Sequence, residues 1–179
     1  KDAARILRAA LPLAVMGSLQ TLYYRVDVVM LKSLVGNTPV AFYANSYKLL
    51  EAALMLANMA ALATLPALAA CREDRVAFGR LVERAMRVAL LAGVLVAAVG
   101  GWVAPPLVTL LFGGRYAEAG PSASVLFLSA APFFLNAVMV AVLTIRDPRR
   151  LVLWYLSLLV ANVGLNLWLI PVLGPVGAA

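Results

Sequence analysis

Residues 88–114 read VALLAGVLVAAVGGWVAPPLVTLLFGG and contain no Asp, Glu, Lys or Arg. A helix that crosses a bilayer needs about 20 predominantly apolar residues, and this stretch exceeds that length. Three further stretches, 52–71, 119–145 and 151–179, also lack all four charged residue types. The repetition of such stretches predicts an all-α polytopic membrane protein.

The composition of the whole chain excludes a soluble globular domain. Hydrophobic residues make up 64% and charged residues 13% of the 179 residues, and the mean hydropathy is +0.95. A soluble domain is about half apolar and about a quarter charged, because its surface faces water. This chain has too little polar material to cover such a surface.

The residue inventory also argues against an enzyme. The chain has no His and a single cysteine, Cys71, so neither a Ser-His-Asp set nor an internal disulfide can form. No acidic cluster suggests a metal site. We therefore predict no catalytic residues, no metal and no cofactor.

Glycine and proline divide the chain into spans. We predict five transmembrane helices at about residues 9–35, 40–70, 88–112, 121–145 and 151–171, and the start of a sixth at 176–179. The predicted turns contain Gly36-Asn37-Thr38-Pro39, Gly113-Gly114, and Pro171 with Gly174. Because the chain starts with Lys1 and ends in an apolar run, we expect it to be a fragment of a longer protein.

The basic residues predict the orientation of these spans. Eleven of the 15 Lys and Arg lie in three segments: residues 1–8, 72–87 and 146–150. These segments alternate with turns that carry one basic residue, Arg115. Cytoplasmic loops are enriched in Lys and Arg, so residue 1 is predicted to be cytoplasmic. The net charge of +7 thus needs no nucleic acid to explain it.

Five ionisable residues fall inside the first two predicted spans: Arg25, Asp27, Lys32, Lys48 and Glu51. A charge at the middle of a membrane costs at least about 2.5 kcal/mol, and such residues usually face a protein interior or a wet cavity. The other three spans contain none. We therefore expect the first two helices to line a polar cavity.

Helical spacing groups polar residues around these charges. Gln20, Tyr24 and Asp27 share one helical face, and Tyr47, Glu51 and Asn58 lie on a stripe with Met55. The candidate substrate-binding residues are Arg25, Lys48, Asp27, Tyr24, Tyr47, Glu51 and Asn58.

The same residues have a plain structural interpretation. Lys48 could pair with Glu51, and Arg25 with Asp27, while Lys32 could extend to the external surface. Asp27 could then hold Arg25 in position, or it could carry a coupling proton. The spacing leaves these alternatives open.

Two other patterns predict helix packing. Gly93, Ala97 and Gly101 repeat every four residues, which lets helices approach closely. Asn162 and Asn166 lie one turn apart and could form hydrogen bonds between helices.

Several segments resemble a known family of transporters. They are residues 25–31 (RVDVVML), Gly36, 41–48 (AFYANSYK), 65–68 (LPAL), 166–171 (NLWLIP) and 174–179 (GPVGAA). These segments resemble the Wzx-type polysaccharide or oligosaccharide lipid flippases of the multidrug/oligosaccharidyl-lipid/polysaccharide exporter superfamily.

The resemblance implies a fold of two pseudo-symmetric six-helix bundles around a central cavity. This chain would be the second bundle, from the seventh helix to the start of the twelfth, and the missing N-terminal bundle would be its partner. The resemblance also implies that Arg25 and Lys48 meet the pyrophosphate of a polyprenyl-linked sugar, in a bacterial plasma membrane.

The function that we expect is export of a polyprenyl-diphosphate-linked oligosaccharide across the bilayer by alternating access. One alternative is a multidrug exporter of the same superfamily, whose pocket should be acidic or aromatic. Another, from a different class, is a membrane-embedded glycosyl or lipid-phosphate transferase.

Overall fold

A computed structural model of the chain describes residues 2–178, and the side chains of residues 2–13, 37–39 and 175 lie outside that description. Seven α-helices and one 3-10 helix follow one another, with no strand within residues 2–178. They are α1 (Asp2–Val35), α2 (Asn37–Ala70), α3 (Arg75–Phe112), the 3-10 helix (Gly114–Ala119), α4 (Gly120–Leu128), α5 (Ala130–Arg146), α6 (Pro148–Leu173) and α7 (Pro175–Ala178).

The turns between helices are of two kinds. Gly36, Gly113 and Gly174 have φ angles of 98°, 89° and 58°, a backbone region that glycine adopts without steric cost. All three lie at turns predicted to be external. The two turns predicted to be cytoplasmic instead end at Asp74 and Asp147, whose side chains accept hydrogen bonds from the first backbone N–H groups of α3 and α6. Aspartate is a preferred residue at this capping position.

The helices differ from the predicted spans at three points. The charged residues 75–87 are helical, because Asp74 caps α3 well before the predicted start at 88. The predicted span 121–145 is broken at Ser129, where the segment containing α4 bends by 43° relative to α5. α6 continues past Pro171, the end of the predicted span, to Leu173, so the turn begins at Gly174.

Large apolar side chains cover the outside of the bundle. Trp102, Leu110, Trp168 and Val172 are each more than 70% exposed, and contiguous exposed apolar surface marks contact with a membrane or partner. In the described part of the chain, α2, α3 and α6 are long and apolar enough to span a membrane, and the bent segment up to Arg146 makes a fourth. The all-α polytopic class is therefore confirmed. The count of five spans stays a prediction, because α1 is not among these helices.

The helices pack in a consistent order. α3 packs most extensively against α4 and α5, α2 lies against α4 and α5, and α1 packs chiefly against α6. Small residues line a close approach of helices, as predicted: Gly93 and Ala97 are buried. A Cβ atom added at Gly93 would lie 2.6 Å from the Cα of Ala131 and 3.1 Å from the Cβ of Phe134. The absence of a side chain at Gly93 therefore sets the distance between α3 and α5.

We expect Gly93→Ala to destabilise the fold by about 1–3 kcal/mol, the usual cost of overpacking a tight core site. Gly164→Ala is the matched control, since an added Cβ at Gly164 meets no atom within 4 Å. Thermal unfolding of the purified protein in detergent measures both. A Gly93→Ala melting temperature at or above that of Gly164→Ala would contradict this packing.

Candidate functional site

Asp27 lies at the centre of a buried polar network. Its side chain is on α1 and the residue is only 7% exposed. The hydroxyl of Tyr43, on α2, lies 3.1 Å from Asp27 Oδ2 and donates to it. The same hydroxyl lies 3.1 Å from the carbonyl oxygen of Ala178, on α7. One hydroxyl proton is thus shared between two acceptors on two other helices.

The opposite oxygen of Asp27 faces α6. Asn166 Nδ2 lies 3.5 Å from Asp27 Oδ1 and 2.8 Å from Asn162 Oδ1. The prediction that these two asparagines could bond between helices is confirmed for Asn166. Asn162 instead supports Asn166 from the preceding turn of the same helix. Three helices, α1, α2 and α6, therefore meet at one carboxyl group, and the Tyr43 hydroxyl extends the network to α7.

This network borders a cavity of about 470 Å³, which we call the inner cavity. Its walls include five aromatic residues, and Asp27 is the one charged group among its described lining residues. The aromatic residues are Tyr23, Tyr43, Tyr47, Phe133 and Trp154. The indole N–H of Trp154 donates to Asn136 Oδ1 at 2.8 Å, which fixes both side chains in the cavity wall.

The predicted basic residues lie outside this cavity. Arg25 and Glu51 form an ion pair at 3.7 Å between α1 and α2, with side chains 63% and 45% exposed. Lys48 is exposed and donates to Asn45 Oδ1 at 3.4 Å. It lies one turn before Glu51, on the same side of α2. We call these three charged residues, Arg25, Lys48 and Glu51, the outer charged face.

Neither of the ion pairs that we considered, Arg25 with Asp27 and Lys48 with Glu51, forms among the described side chains. For Arg25 and Asp27 the physical reason is helix geometry, because residues two apart point to nearly opposite sides of a helix. Arg25 therefore faces outward where Asp27 faces inward. Lys48 and Glu51 lie on the same side of α2 but have different partners, since Glu51 pairs with Arg25 on the neighbouring helix and Lys48 donates to Asn45.

The remaining predicted residues divide between two cavities. Tyr47 is buried and lines the inner cavity with Asp27. Tyr24 and Asn58 line a smaller side cavity of about 260 Å³, which shares Asn136 with the inner one. The ring of Tyr24 stacks on Phe133 with centroids 6.0 Å apart. Lys32 is exposed in the last turn of α1.

An open groove continues the outer charged face along α1. Gly17, Ser18 and Thr21 line it together with Arg25, and Thr21 Oγ1 donates to the carbonyl of Gly17 at 2.8 Å. Small and polar side chains are unusual on a helix surface that meets lipid tails. This side of α1 is therefore suited to contact protein or water.

Sequence reasoning did not single out four residues of the inner site: Tyr23, Tyr43, Asn136 and Trp154. Tyr43 lies one turn before Tyr47, and their rings stack with centroids 5.9 Å apart, so i, i+4 spacing carried a usable signal for that pair. The contact between Asn136 and Trp154 joins α5 and α6 and has no local signal.

Comparison with known proteins gives one match. The family model described as "Polysaccharide biosynthesis protein" matches residues 1–71, which hold α1, α2 and all five ionisable residues of the first two predicted spans. No curated protein and no solved structure matches the chain. The match covers the first two helices, less than half of the chain, and supports a role connected with polysaccharide biosynthesis.

The hydrogen bonds around Asp27 should contribute to the free energy of unfolding. Tyr43→Phe removes the donor shared by Asp27 and Ala178 and leaves both acceptors without it, so we expect a loss of about 1–3 kcal/mol. Tyr116→Phe is the control, because the described contacts of Tyr116 are ring contacts with Phe42 and Phe112 and a cation–π contact with Arg115. We expect it to stay within about 0.5 kcal/mol of the parent protein. Equal melting temperatures for the two variants in detergent would refute the role of the Tyr43 hydroxyl.

Proposed function

We propose that this chain is part of a flippase that moves a polyprenyl-diphosphate-linked oligosaccharide from the cytoplasmic to the external leaflet for cell-surface polysaccharide synthesis. The observation that carries the proposal is the outer charged face. Two cationic side chains, Arg25 and Lys48, lie exposed on helices that we predict to span the membrane. They belong to the segment that matches the polysaccharide biosynthesis family.

Charge energetics supports an anionic ligand at this face. A cation exposed to hydrocarbon costs at least about 2.5 kcal/mol, so Arg25 and Lys48 favour a water-filled cavity between protein walls. A diphosphate forms charge-assisted hydrogen bonds with guanidinium and ammonium groups. Glu51 neutralises Arg25 when no substrate is bound, and the 3.7 Å pair can open when a diphosphate takes its place.

A second helical bundle of the parent protein completes the cavity in this proposal. It would face the open groove of α1, where Gly17, Ser18 and Thr21 lie beside Arg25. The substrate would then pass between the two bundles by alternating access. The protein would lie in a bacterial plasma membrane, with residue 1 on the cytoplasmic side.

Asp27 has a separate part in the proposed cycle. It lies inside the bundle, in contact with α2 and α6, and it shares the Tyr43 hydroxyl with α7. A proton or monovalent cation bound at this carboxyl group would change how Tyr43 is shared with Ala178. Asp27 is therefore our candidate for the group that couples an ion gradient to movement of the helices.

The inner cavity favours a second candidate function. Its wall combines one carboxylate with five aromatic rings and includes no basic residue among those described. Aromatic faces and a carboxylate attract organic cations. This lining is what we expect of a multidrug exporter of the same superfamily. The family match and the outer charged face keep the lipid-linked glycan as the leading proposal.

We expect Arg25→Ala and Lys48→Ala in the full-length protein to reduce surface glycan export by about 10- to 100-fold. This is the effect of losing one charge-assisted hydrogen bond of roughly 1.5–3 kcal/mol to the substrate. Lys32→Ala is the matched control, since Lys32 is an exposed cation at the end of the same helix. Membrane abundance is measured alongside export. Unchanged export in both test variants would rule out the proposed diphosphate contact.

The charge exchange Arg25→Glu with Glu51→Arg separates substrate binding from structure. The exchange keeps an ion pair between α1 and α2 but moves the cation to the other helix. We expect normal abundance with export still impaired, because the position of the cation matters to the substrate. Full recovery of export would assign the pair a purely structural role.

The second candidate predicts transport of an organic cation. Cells that contain the full-length protein would accumulate less ethidium, and Asp27→Asn would abolish that difference because it removes the charged group of the inner cavity. Glu118→Gln, at an exposed acidic residue, is the control. For the leading proposal we expect equal ethidium accumulation with and without the protein, measured by cell fluorescence.

A further inference from the structure

A groove of about 240 Å³ between α2 and α3 shares no lining residue with the inner cavity and only Ala61 with the side cavity. Its walls are almost entirely apolar, and Arg84 is the one charged residue among those that line it. Phe134 and Val138 of α5 form part of its lining and are themselves buried. We refer to it as the α2–α3 groove.

The groove has a polar end and an apolar end. Along α3 its lining runs from Leu81 and Arg84 to Ala92, about 12 Å from Arg84 to Ala92 at 1.5 Å per residue. Arg84 lies nearer the loop that joins α2 to α3, which is predicted to be cytoplasmic. Beyond Ala92, the tight contact of Gly93 with Ala131 brings α3 against α5. The apolar end of the groove therefore stops where two helices meet.

Local hydrogen bonding makes the walls more apolar than the sequence suggests. Thr64, the polar residue that α2 contributes, donates its hydroxyl to the carbonyl of Ala61 at 2.7 Å. The residues beside it, Ala57, Ala60 and Ala61, leave room for a chain to lie against α2. The groove thus offers a hydrocarbon surface down its length.

The charge at the polar end is available to a ligand. Arg87 is paired with Glu83 at 2.8 Å, but Arg84 makes no ion pair or side-chain hydrogen bond with any described side chain. Arg80 lies one turn earlier on the same side of α3 and is also exposed. Two basic groups at the predicted membrane surface attract an anionic headgroup.

We propose that the α2–α3 groove binds one anionic phospholipid, with an acyl chain along the alanine wall and the phosphodiester group at Arg84 and Arg80. The basic end of the groove lies toward the predicted membrane surface and the apolar end lies deeper. This is the order of the headgroup and the acyl chain in such a lipid. A chain that fills the groove would join α2, α3 and α5 on their outer side. This site is independent of the outer charged face and does not rest on the transport proposal.

Native mass spectrometry of the full-length protein in detergent tests the headgroup half of this site. We expect tighter binding of phosphatidylglycerol than of phosphatidylcholine with the same acyl chains. Arg84→Gln should weaken phosphatidylglycerol binding about fivefold, the change that corresponds to roughly 1 kcal/mol per basic side chain near an anionic surface. Arg149→Gln, at an exposed arginine outside the groove, should bind like the parent protein.

The acyl-chain half is tested by filling the groove. Ala60→Leu adds bulk to the wall, whereas Ala63→Leu adds the same bulk to an exposed position of α2 that is not part of the groove. We expect only Ala60→Leu to weaken phosphatidylglycerol binding, with both variants melting near the parent temperature.

Three results would overturn the proposal. The first is equal binding of the two lipids, the second is parent-like binding by Arg84→Gln, and the third is parent-like binding by Ala60→Leu. A dimer that replaces the bound lipid in the same spectra would assign the groove to a second copy of the chain instead.

Discussion

The cost of a charge in hydrocarbon organises this molecule. Most of the surface of the bundle is apolar, so each ionisable residue within a span needs a partner or contact with water. Two ionisable residues of α1 are stabilised by different kinds of partner. Asp27 is enclosed by hydroxyl and amide donors from other helices, whereas Arg25 is held by a partly exposed carboxylate. Asp27 and Arg25 lie on opposite sides of this one helix.

The hydrogen bonds of the buried Asp27 side chain also determine which helices are joined. A lone buried carboxyl group stabilises a fold only when its oxygens are hydrogen-bonded, and here the donors are Tyr43 of α2 and Asn166 of α6. Tyr43 extends the network to the backbone of α7. The four-residue helix α7 is thus attached to the bundle by a polar contact as well as by the buried side chain of Ala178.

The sequence predicted the helical class and the turns better than it predicted the pairing of side chains. Apolar length and glycine position are local properties, and the positive φ angles at Gly36, Gly113 and Gly174 fall where the pattern put the breaks. Asp27 could be selected from the sequence because a charge in a span is costly wherever it points. Its partners could not, since Tyr43 and Asn166 are 16 and 139 residues away along the chain. The break at Ser129 has the same origin, because α4 and α5 each pack against α3 and α2.

Arg25 and Asp27 lie on the same helix, so a movement of that helix changes the Asp27 network and the outer charged face together. The residues are two apart, so a rotation of α1 that loosens Asp27 from Tyr43 must also move Arg25 relative to Glu51. α1 packs chiefly against α6 and much less against α2, so the α1–α2 boundary is where such a movement meets least resistance. Both the Tyr43 hydrogen bond and the Arg25–Glu51 ion pair cross that boundary. In the proposed transport cycle, an ion at Asp27 and a diphosphate at Arg25 would therefore act on the same contact between two helices from its inner and outer sides.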